Sequence, residues 1–214
     1  MQHSGDTVEG LVSIGIGETA AINELADAIK DFRNIYPGAR FEIYTATADA
    51  VMERMENGLL DFGLMLDPVD ISEYNFILLH SYDVSSVLLP EDHPLAAKKS
   101  ISAKDLVGQP LIIPRRKSVQ NMMENWFGKY SKNQDTPIIM NLSDYNKRAL
   151  VRKGLGIGLS IYLENPGEGL VQRPLSPEIR TRCVLVWIKN RFHTTVVAKF
   201  AEFMEERYQE NSEE

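Results

Sequence analysis

Hydrophobic residues in the first third of the chain alternate between the two-residue spacing of strands and the three- to four-residue spacing of helices. Residues 8–16 and 39–45 have the strand pattern, and 61–66 form a third short apolar run. Between these strands, two sets of apolar residues recur at helical spacing: Ile22, Leu25, Ala26, Ile29 and Phe32, and then Val51, Met55 and Leu59. The order strand, helix, strand, helix, strand favours a parallel sheet with crossover helices.

The middle of the chain repeats this alternation. Strands are predicted at 82–89, 110–113, 137–142 and 155–161, with helices beginning at Ser118 and Ser143, and a late strand at 184–188 and an amphipathic helix at 196–204 follow. We therefore expect an α/β fold of two lobes, each a mixed, mainly parallel sheet flanked by helices. Residues 1–80 and 163–214 are assigned to the first lobe and 81–162 to the second, with the chain crossing near 79–82 and returning near 162–170.

Charge and cysteine usage exclude several functions for this 214-residue chain. Its formal net charge is −7 and no block of lysine or arginine occurs, so we expect this chain to bind neither DNA nor an anionic membrane by itself. The only cysteine, Cys183, cannot form an internal disulfide, and it is expected to be packed rather than redox-active, which fits the cytoplasm. We see no signal peptide and no membrane-spanning stretch.

The sequence contains no pattern typical of a catalytic site or of a metal site. The four histidines, His3, His80, His93 and His193, have no metal-ligand spacing, and the carboxylates Asp61 and Asp67 have no base or nucleophile near them in sequence. We expect no metal, no cofactor and no catalytic residue.

The stretch Gly15-Ile16-Gly17-Glu18-Thr19-Ala20 lies between a predicted strand and a predicted helix, as a dinucleotide-binding fingerprint does. That fingerprint also needs an acidic residue at the end of the second strand, and here this strand ends at Thr45. One alternative is that the glycines only relieve crowding. Another is that the helix N-terminus attracts a small anion.

Four hydroxyl-bearing segments are predicted to follow strands and start helices. They contain Thr19, Thr45 with Thr47, Ser118, and Ser143. Because open α/β sheets bind ligands at the carboxyl ends of their strands, we expect these segments to converge on a ligand cleft, although each residue alone is also explained as a plain helix cap. Gly154, Gly156 and Gly158 follow a helix and lead into a strand, the reverse of a nucleotide loop. We interpret the first as a helix C-terminal glycine and the other two as allowing close strand packing.

Six stretches, in order, resemble the signatures of LysR-type transcriptional regulators in their effector-binding domain. They are LVSIGIGETAA at 11–21, FRNIYPGARFEI at 32–43, MENGLLDFGLM at 55–65, LLPEDHPLA at 88–96, DLVGQPLII at 105–113 and LVRKGLGIGLSI at 150–161. The resemblance covers nearly the whole chain. It implies a two-lobed fold like type 2 periplasmic binding proteins, with a small effector between the lobes.

Matching positions imply which residues contact the effector. They are Glu18, Thr19, Ala20, Thr45, Thr47, Arg115, Ser118 and Ser143. The implied effector is a small carboxylate or an amine-bearing acid. Glu18 departs from this chemistry, since it could repel a carboxylate, select an amine or point to solvent. Arg115 and Arg116 could bind an anion, or be two exposed loop arginines.

The resemblance also implies partners. The family dimerises through its first lobe, by the first helix and the second strand, and a tetramer is expected for the full-length protein. DNA would be bound only through an N-terminal winged helix-turn-helix, which we expect to be absent from this chain. Two alternatives stay open: a solute-binding protein of a transporter, or an enzyme on the same fold.

Overall fold

The computed structural model describes residues 8–66, 72–141, 143–163, 165–189, 191 and 194–209. They form two compact units: the first holds the described residues up to Tyr82 and from Arg182 onward, and the second holds Asp83–Thr181. His3, Asp67 and His193 lie outside the described residues. No helix in the described ranges combines the length and apolarity needed to cross a membrane.

The first unit is a mixed sheet with helices on both faces. Its strands are β1 (Gly10–Ile16), β2 (Ala39–Thr45), β3 (Phe62–Leu66), the first part of β4 (Tyr74–Pro90) and most of β10 (Arg180–Ile188). β2, β1 and β3 are parallel in that order, and β10 runs antiparallel to β3. Its helices are α1 (Ile22–Ile35), α2 (Ala48–Glu56) and α5 (Thr195–Gln209).

Alternating side chains divide the core of the first unit between the two faces of this sheet. On one face, α1 and α5 bury an aromatic cluster in which Phe200 lies 5.1 Å from Phe32 and 5.2 Å from Phe62, between ring centroids. On the other face, α2 packs Val51 and Met55 against the sheet. Such pairs of buried aromatic rings add about 0.5–1.5 kcal/mol beyond their burial.

The second unit repeats the plan with more antiparallel pairing. Its strands are the rest of β4, β5 (Ile101–Ser102), β6 (Pro110–Pro114), β7 (Asp135–Met140), β8 (Ile157–Ile161) and β9 (Leu170–Ser176). β7, β6 and β8 are parallel, while β4 lies antiparallel to β8 and β9. Its helices are α3 (Lys117–Phe127) and α4 (Asp144–Arg152).

The predicted fold class, α/β with a mixed, mainly parallel sheet in each lobe, is confirmed. The units differ from the lobes expected above in one respect, since the chain returns to the first unit at Arg182 rather than near 162–170. The cause is β9, a strand that the sequence pattern did not predict. β9 pairs with β4 and with β5, and so keeps 163–181 in the second unit.

Candidate functional site

In the first unit, two of the predicted segments lie side by side. β1 and β2 are adjacent parallel strands whose last residues, Ile16 and Thr45, are register partners. The pairing continues past the strand ends, because the Ala46 N–H donates to the Ile16 carbonyl over 3.0 Å. The segments that carry Glu18, Thr19 and Ala20, and Thr45 and Thr47, therefore leave the same edge of one sheet.

Thr19 is buried and its hydroxyl already has protein partners. Its Oγ1 accepts the Ala21 N–H over 3.1 Å at the start of α1, and it lies 3.3 Å from the Cys183 sulfur. Cys183 is fully buried in the core, so the prediction that it is a packed residue is confirmed. Ala20 contributes its carbonyl, which accepts both the backbone and the side-chain N–H of Asn23 over 3.2 Å.

Thr45 and Thr47 differ in what their side chains do. Thr45 ends β2 and is exposed. Thr47 caps α2, and its hydroxyl accepts the Ala50 N–H over 3.4 Å. The Thr47 hydroxyl is therefore engaged in capping α2, whereas Thr45 faces solvent.

Packing explains Gly15, the first glycine of the fingerprint-like stretch. Gly15 pairs with Gly63 of β3, and a side chain on Gly15 would come within 2.5 Å of Val51 and 2.7 Å of Leu60. A Cβ on Gly63 would come within 2.8 Å of Met55. α2 thus lies directly on these two glycines, which supports the interpretation of relieved crowding over a nucleotide loop.

The second unit has the same arrangement. β6 and β7 are adjacent parallel strands, and beyond β6 the Arg115 N–H donates to the Met140 carbonyl at the end of β7 over 2.9 Å. Arg115 is exposed. The predicted cap at Ser143 is present, because its hydroxyl accepts the Asn146 N–H over 3.2 Å at the start of α4. Ser143 has a φ of 147°, a backbone conformation that non-glycine residues rarely adopt and that is enriched at functional sites.

Ser118 does not cap a helix, so that prediction was wrong. α3 begins at Lys117 with Arg116 in the capping position, and this places Ser118 inside the first turn. Its Oγ is buried and, within the described residues, has no hydrogen-bond partner. A buried hydroxyl in that state costs stability unless something bonds to it.

Lys147, one helical turn after Ser143, is not among the site residues predicted from the sequence. Lys147 is 8% exposed, and its Nζ lies 3.3 Å from the Ser160 hydroxyl. Its aliphatic stem crosses Gly158, where a Cβ would come within 2.9 Å of it. This contact, and the 2.7 Å from a Cβ on Gly156 to the Pro110 carbonyl, confirm that these glycines allow close packing. A lysine four residues after a predicted cap, on the apolar face of the helix, was the available signal.

A buried polar network extends from this lysine along the sheet. The Ser86 hydroxyl donates to the Ser160 carbonyl over 3.4 Å, and Gln172 donates to Ser86 over 3.4 Å and to the Ile161 carbonyl over 2.7 Å. The Gln172 oxygen in turn accepts the Leu163 N–H over 2.8 Å. These bonds hold β8, which carries Ser160, against β4 and β9. They thereby fix the Ser160 hydroxyl that contacts the Lys147 ammonium group.

Comparison with known proteins identifies the family. Residues 5–209 match the family described as the LysR substrate binding domain. YybE, an uncharacterized HTH-type transcriptional regulator of Bacillus subtilis strain 168, is 26% identical over 208 residues, which cover 94% of this chain and 70% of YybE. The match to another regulator of the same strain, YtlI, covers 48% of its length.

Solved structures show the same fold. The effector binding domain of QuiR in complex with shikimate superposes with a TM-score of 0.82 at 15% identity, over 94% of this chain and 98% of that domain. The regulatory domain of Synechocystis PCC6803 CcmR in complex with 2-PG gives 0.74 at 17% identity, also over 94% and 98%. The transporter alternative is not favoured by these matches. The chain therefore belongs to the LysR substrate binding domain family, and it is a ligand-sensing regulatory domain.

Proposed function

We propose that this chain binds a small effector through the strand-to-helix segments that follow β1, β2, β6 and β7. The observation that supports this is the shared arrangement of the two units, in each of which adjacent parallel strands end side by side and lead to helix starts that carry hydroxyl groups. Neighbours of the same fold were solved with shikimate and with 2-PG. The proposed contacts are Glu18, Thr19, Ala20, Thr45, Thr47, Arg115, Ser118 and Ser143.

The charges near these segments favour an acid that also carries an amine. The N-terminus of each helix is the positive end of its dipole, and Lys147 holds a largely buried ammonium group one turn after Ser143. Arg115 adds an exposed guanidinium after β6. Glu18, in contrast, places a carboxylate after β1, where it would repel a second negative charge and attract an ammonium group.

In the full-length regulator, the domain would act on DNA through another part of the protein. We propose a homodimer formed by α1 and β2 of the first unit, a tetramer in the full-length protein, and a cytoplasmic location. Binding, and not catalysis, is the proposed activity. An effector can change the assembly only if it binds one arrangement better than another, and a coupling free energy of about 1–3 kcal/mol is typical.

A thermal-shift screen tests the effector class. The panel would contain small carboxylates, aromatic acids, amino acids, amines, sugars and nucleotides. A ligand at one hundred times its dissociation constant adds about 2.7 kcal/mol to stability, which raises the melting temperature of a chain of this length by roughly 5–10 °C. We expect the largest rise from an amino acid or a related acid, while a rise with dinucleotides alone would contradict the proposal.

Two serine substitutions then locate the site. Because the Ser118 hydroxyl has no partner in the described part of the chain, Ser118→Ala should weaken effector binding by about 1–2 kcal/mol without lowering the melting temperature. Ser143→Ala should weaken binding similarly and also cost about 1 kcal/mol of stability, because it removes a helix cap. Ser100→Ala, at an exposed position, is the matched control. Unchanged affinity in both variants would remove these residues from the site.

A further inference from the structure

Lys147 places a cation inside the second unit, where charged side chains are rarely found. It lies on α4 and is buried, although lysine is among the residues that proteins bury least often. Its ammonium group donates to the Ser160 hydroxyl over 3.3 Å. Enclosing a charged group costs free energy, so a chain that keeps a lysine here has a use for its charge.

The register of the sheet shows where along the strands this ammonium group lies. β6 and β8 are parallel, and Ile112 of β6 is the partner of Gly158 in β8. Two residues further along, Pro114 is the last residue of β6 and is therefore level with Ser160, the last residue but one of β8. The ammonium group bonded to Ser160 thus lies at the carboxyl ends of these strands, the edge at which open α/β sheets bind ligands and from which the segment with Arg115 leaves.

The path of the lysine stem to this edge depends on Gly158. Gly158 and Ser160 face the same side of β8, because side chains alternate along a strand. A Cβ on Gly158 would come within 2.9 Å of the Lys147 Cδ and 3.1 Å of its Cγ. The missing side chain therefore leaves room for the stem to cross β8 towards Ser160. The path begins one turn after Ser143, a proposed effector contact, since residues four apart lie on the same face of a helix.

We propose that Lys147 is the residue that selects an acidic effector, by pairing its ammonium group with a carboxylate of the ligand. A neutral ligand of the same shape, such as the corresponding amide, cannot form this charge-assisted bond, and the difference in affinity is the selection. Gly158 has a positioning role, because it gives the lysine stem its path. The inference rests on the effector site proposed for the strand-to-helix segments, and it assigns the choice of an anionic ligand to one side chain of that site.

Acetate and acetamide are the probes, because they have the same size and differ in charge. Protein labelled at the lysine Cε atoms and at the backbone amides would be titrated with each probe at constant ionic strength and followed by NMR. We expect acetate to shift the Lys147 signal to saturation, with a dissociation constant of about 10 mM or tighter, and acetamide to bind at least about tenfold more weakly. Absence of a saturable shift of the Lys147 signal with acetate, or equal affinity for the two probes, would overturn the proposal.

Two lysine variants of the same helix make the test specific to the ammonium group. Lys147→Met keeps an unbranched apolar stem and removes the charge, so it should bring acetate and acetamide to within about twofold of each other. Lys153→Met removes an exposed lysine at the end of α4 and should preserve the preference for acetate. A preference that survives Lys147→Met, followed at the backbone amides of residues 143–146, would refute the role of Lys147 and leave the effector site in place. Amide signals of these residues that no acid of the thermal-shift panel moves would instead count against the site itself.

Gly158→Ala tests the path of the stem while the charge is kept. The added methyl group should displace the stem and weaken acetate binding at least about threefold. In the Lys147→Met background the same change should have no further effect, because the ammonium group that it would displace is already absent. Equal weakening in both backgrounds would contradict an action through Lys147. Retained dispersion of the amide signals shows that each variant is folded.

Discussion

At the scale of single residues, the Glu24 carboxylate connects three distant parts of the first unit. It lies on α1 and accepts the backbone N–H groups of His80 and Ser81 over 3.0 and 2.9 Å, and the Tyr208 hydroxyl over 2.5 Å. Burial raises the pKa of Glu24, but the hydrogen bonds from Ser81, Tyr208 and His80 outweigh it and lower the pKa to about 2. Burial and the same carboxylate raise the pKa of Tyr208.

These bonds predict a specific pH dependence of folding. The Glu24 pKa is about 2 in the folded chain and 4.5 in its ordinary state, so its contribution is complete above pH 4.5 and is lost as the pH falls towards 2. We expect Glu24→Gln to lower the free energy of unfolding at pH 7 by on the order of 2–3 kcal/mol, because the side chain is only 16% exposed. Chemical denaturation from pH 7 to pH 2.5 measures this.

The free energy of unfolding, plotted against pH for the parent chain and for Glu24→Gln, distinguishes this electrostatic effect from a loss of packing. The curves of the parent chain and of Glu24→Gln should converge below pH 4.5, whereas a constant gap between them would refute an electrostatic origin. Glu53→Gln, an exposed glutamate of α2, should leave both the stability and its pH dependence within about 0.5 kcal/mol of the parent.

Local patterns predicted some residue roles and not others. The cap at Ser143 follows from a hydroxyl just before a helical pattern, and it is present. The predicted cap at Ser118 is absent because α3 begins one residue before it. Helix boundaries are the least certain feature of a sequence pattern. The role of Glu24 has no local signal at all, because its partners are 56 to 184 residues away in sequence.

At the scale of elements, α2 packs directly on two glycines of the sheet, Gly15 and Gly63. Gly15→Ala should lower the free energy of unfolding by about 1–3 kcal/mol, because the added methyl group would overlap Val51 of α2 and Leu60, which follows α2. Gly17→Ala is the matched control from the same stretch, since its new Cβ would have only an ordinary contact, 3.8 Å from the Ala46 carbonyl. Denaturation of the two variants measures the difference, and equal losses would contradict the packing explanation.

The strands and helices were predicted best where each strand pairs with a strand close to it in sequence. The strand, helix, strand, helix, strand order up to residue 66 is recovered, with β1, β2 and β3 parallel as expected. β4 begins at Tyr74, eight residues before the predicted strand, and β9 was missed. Both depend on pairing with distant strands, as β9 shows by joining β4 and β5, and a sequence window carries no information on such partners.

At the scale of the whole molecule, the proposed dimer rests on an open edge of the first unit. β2 ends the order of strands, and an edge strand leaves backbone groups that another chain can pair with. Three large apolar side chains on β2 and α1 are also exposed: Ile43 at 43%, Ile22 at 37% and Ile35 at 58%. Family membership predicted this interface from sequence, but which side chains reach its surface needed the fold.

Sedimentation equilibrium decides whether this surface forms the dimer. The parent chain should sediment at twice its monomer mass of 24.2 kDa, and Ile43→Arg should raise the dissociation constant at least about tenfold, because a buried, unpaired charge costs more than the lost contact. Leu59→Arg adds the same charge to a more exposed residue of the same unit, 59% accessible and outside α1 and β2, and should leave the dimer intact. Equal dissociation by both variants would indicate a general charge effect. A parent chain that is monomeric throughout would place dimerisation outside this domain.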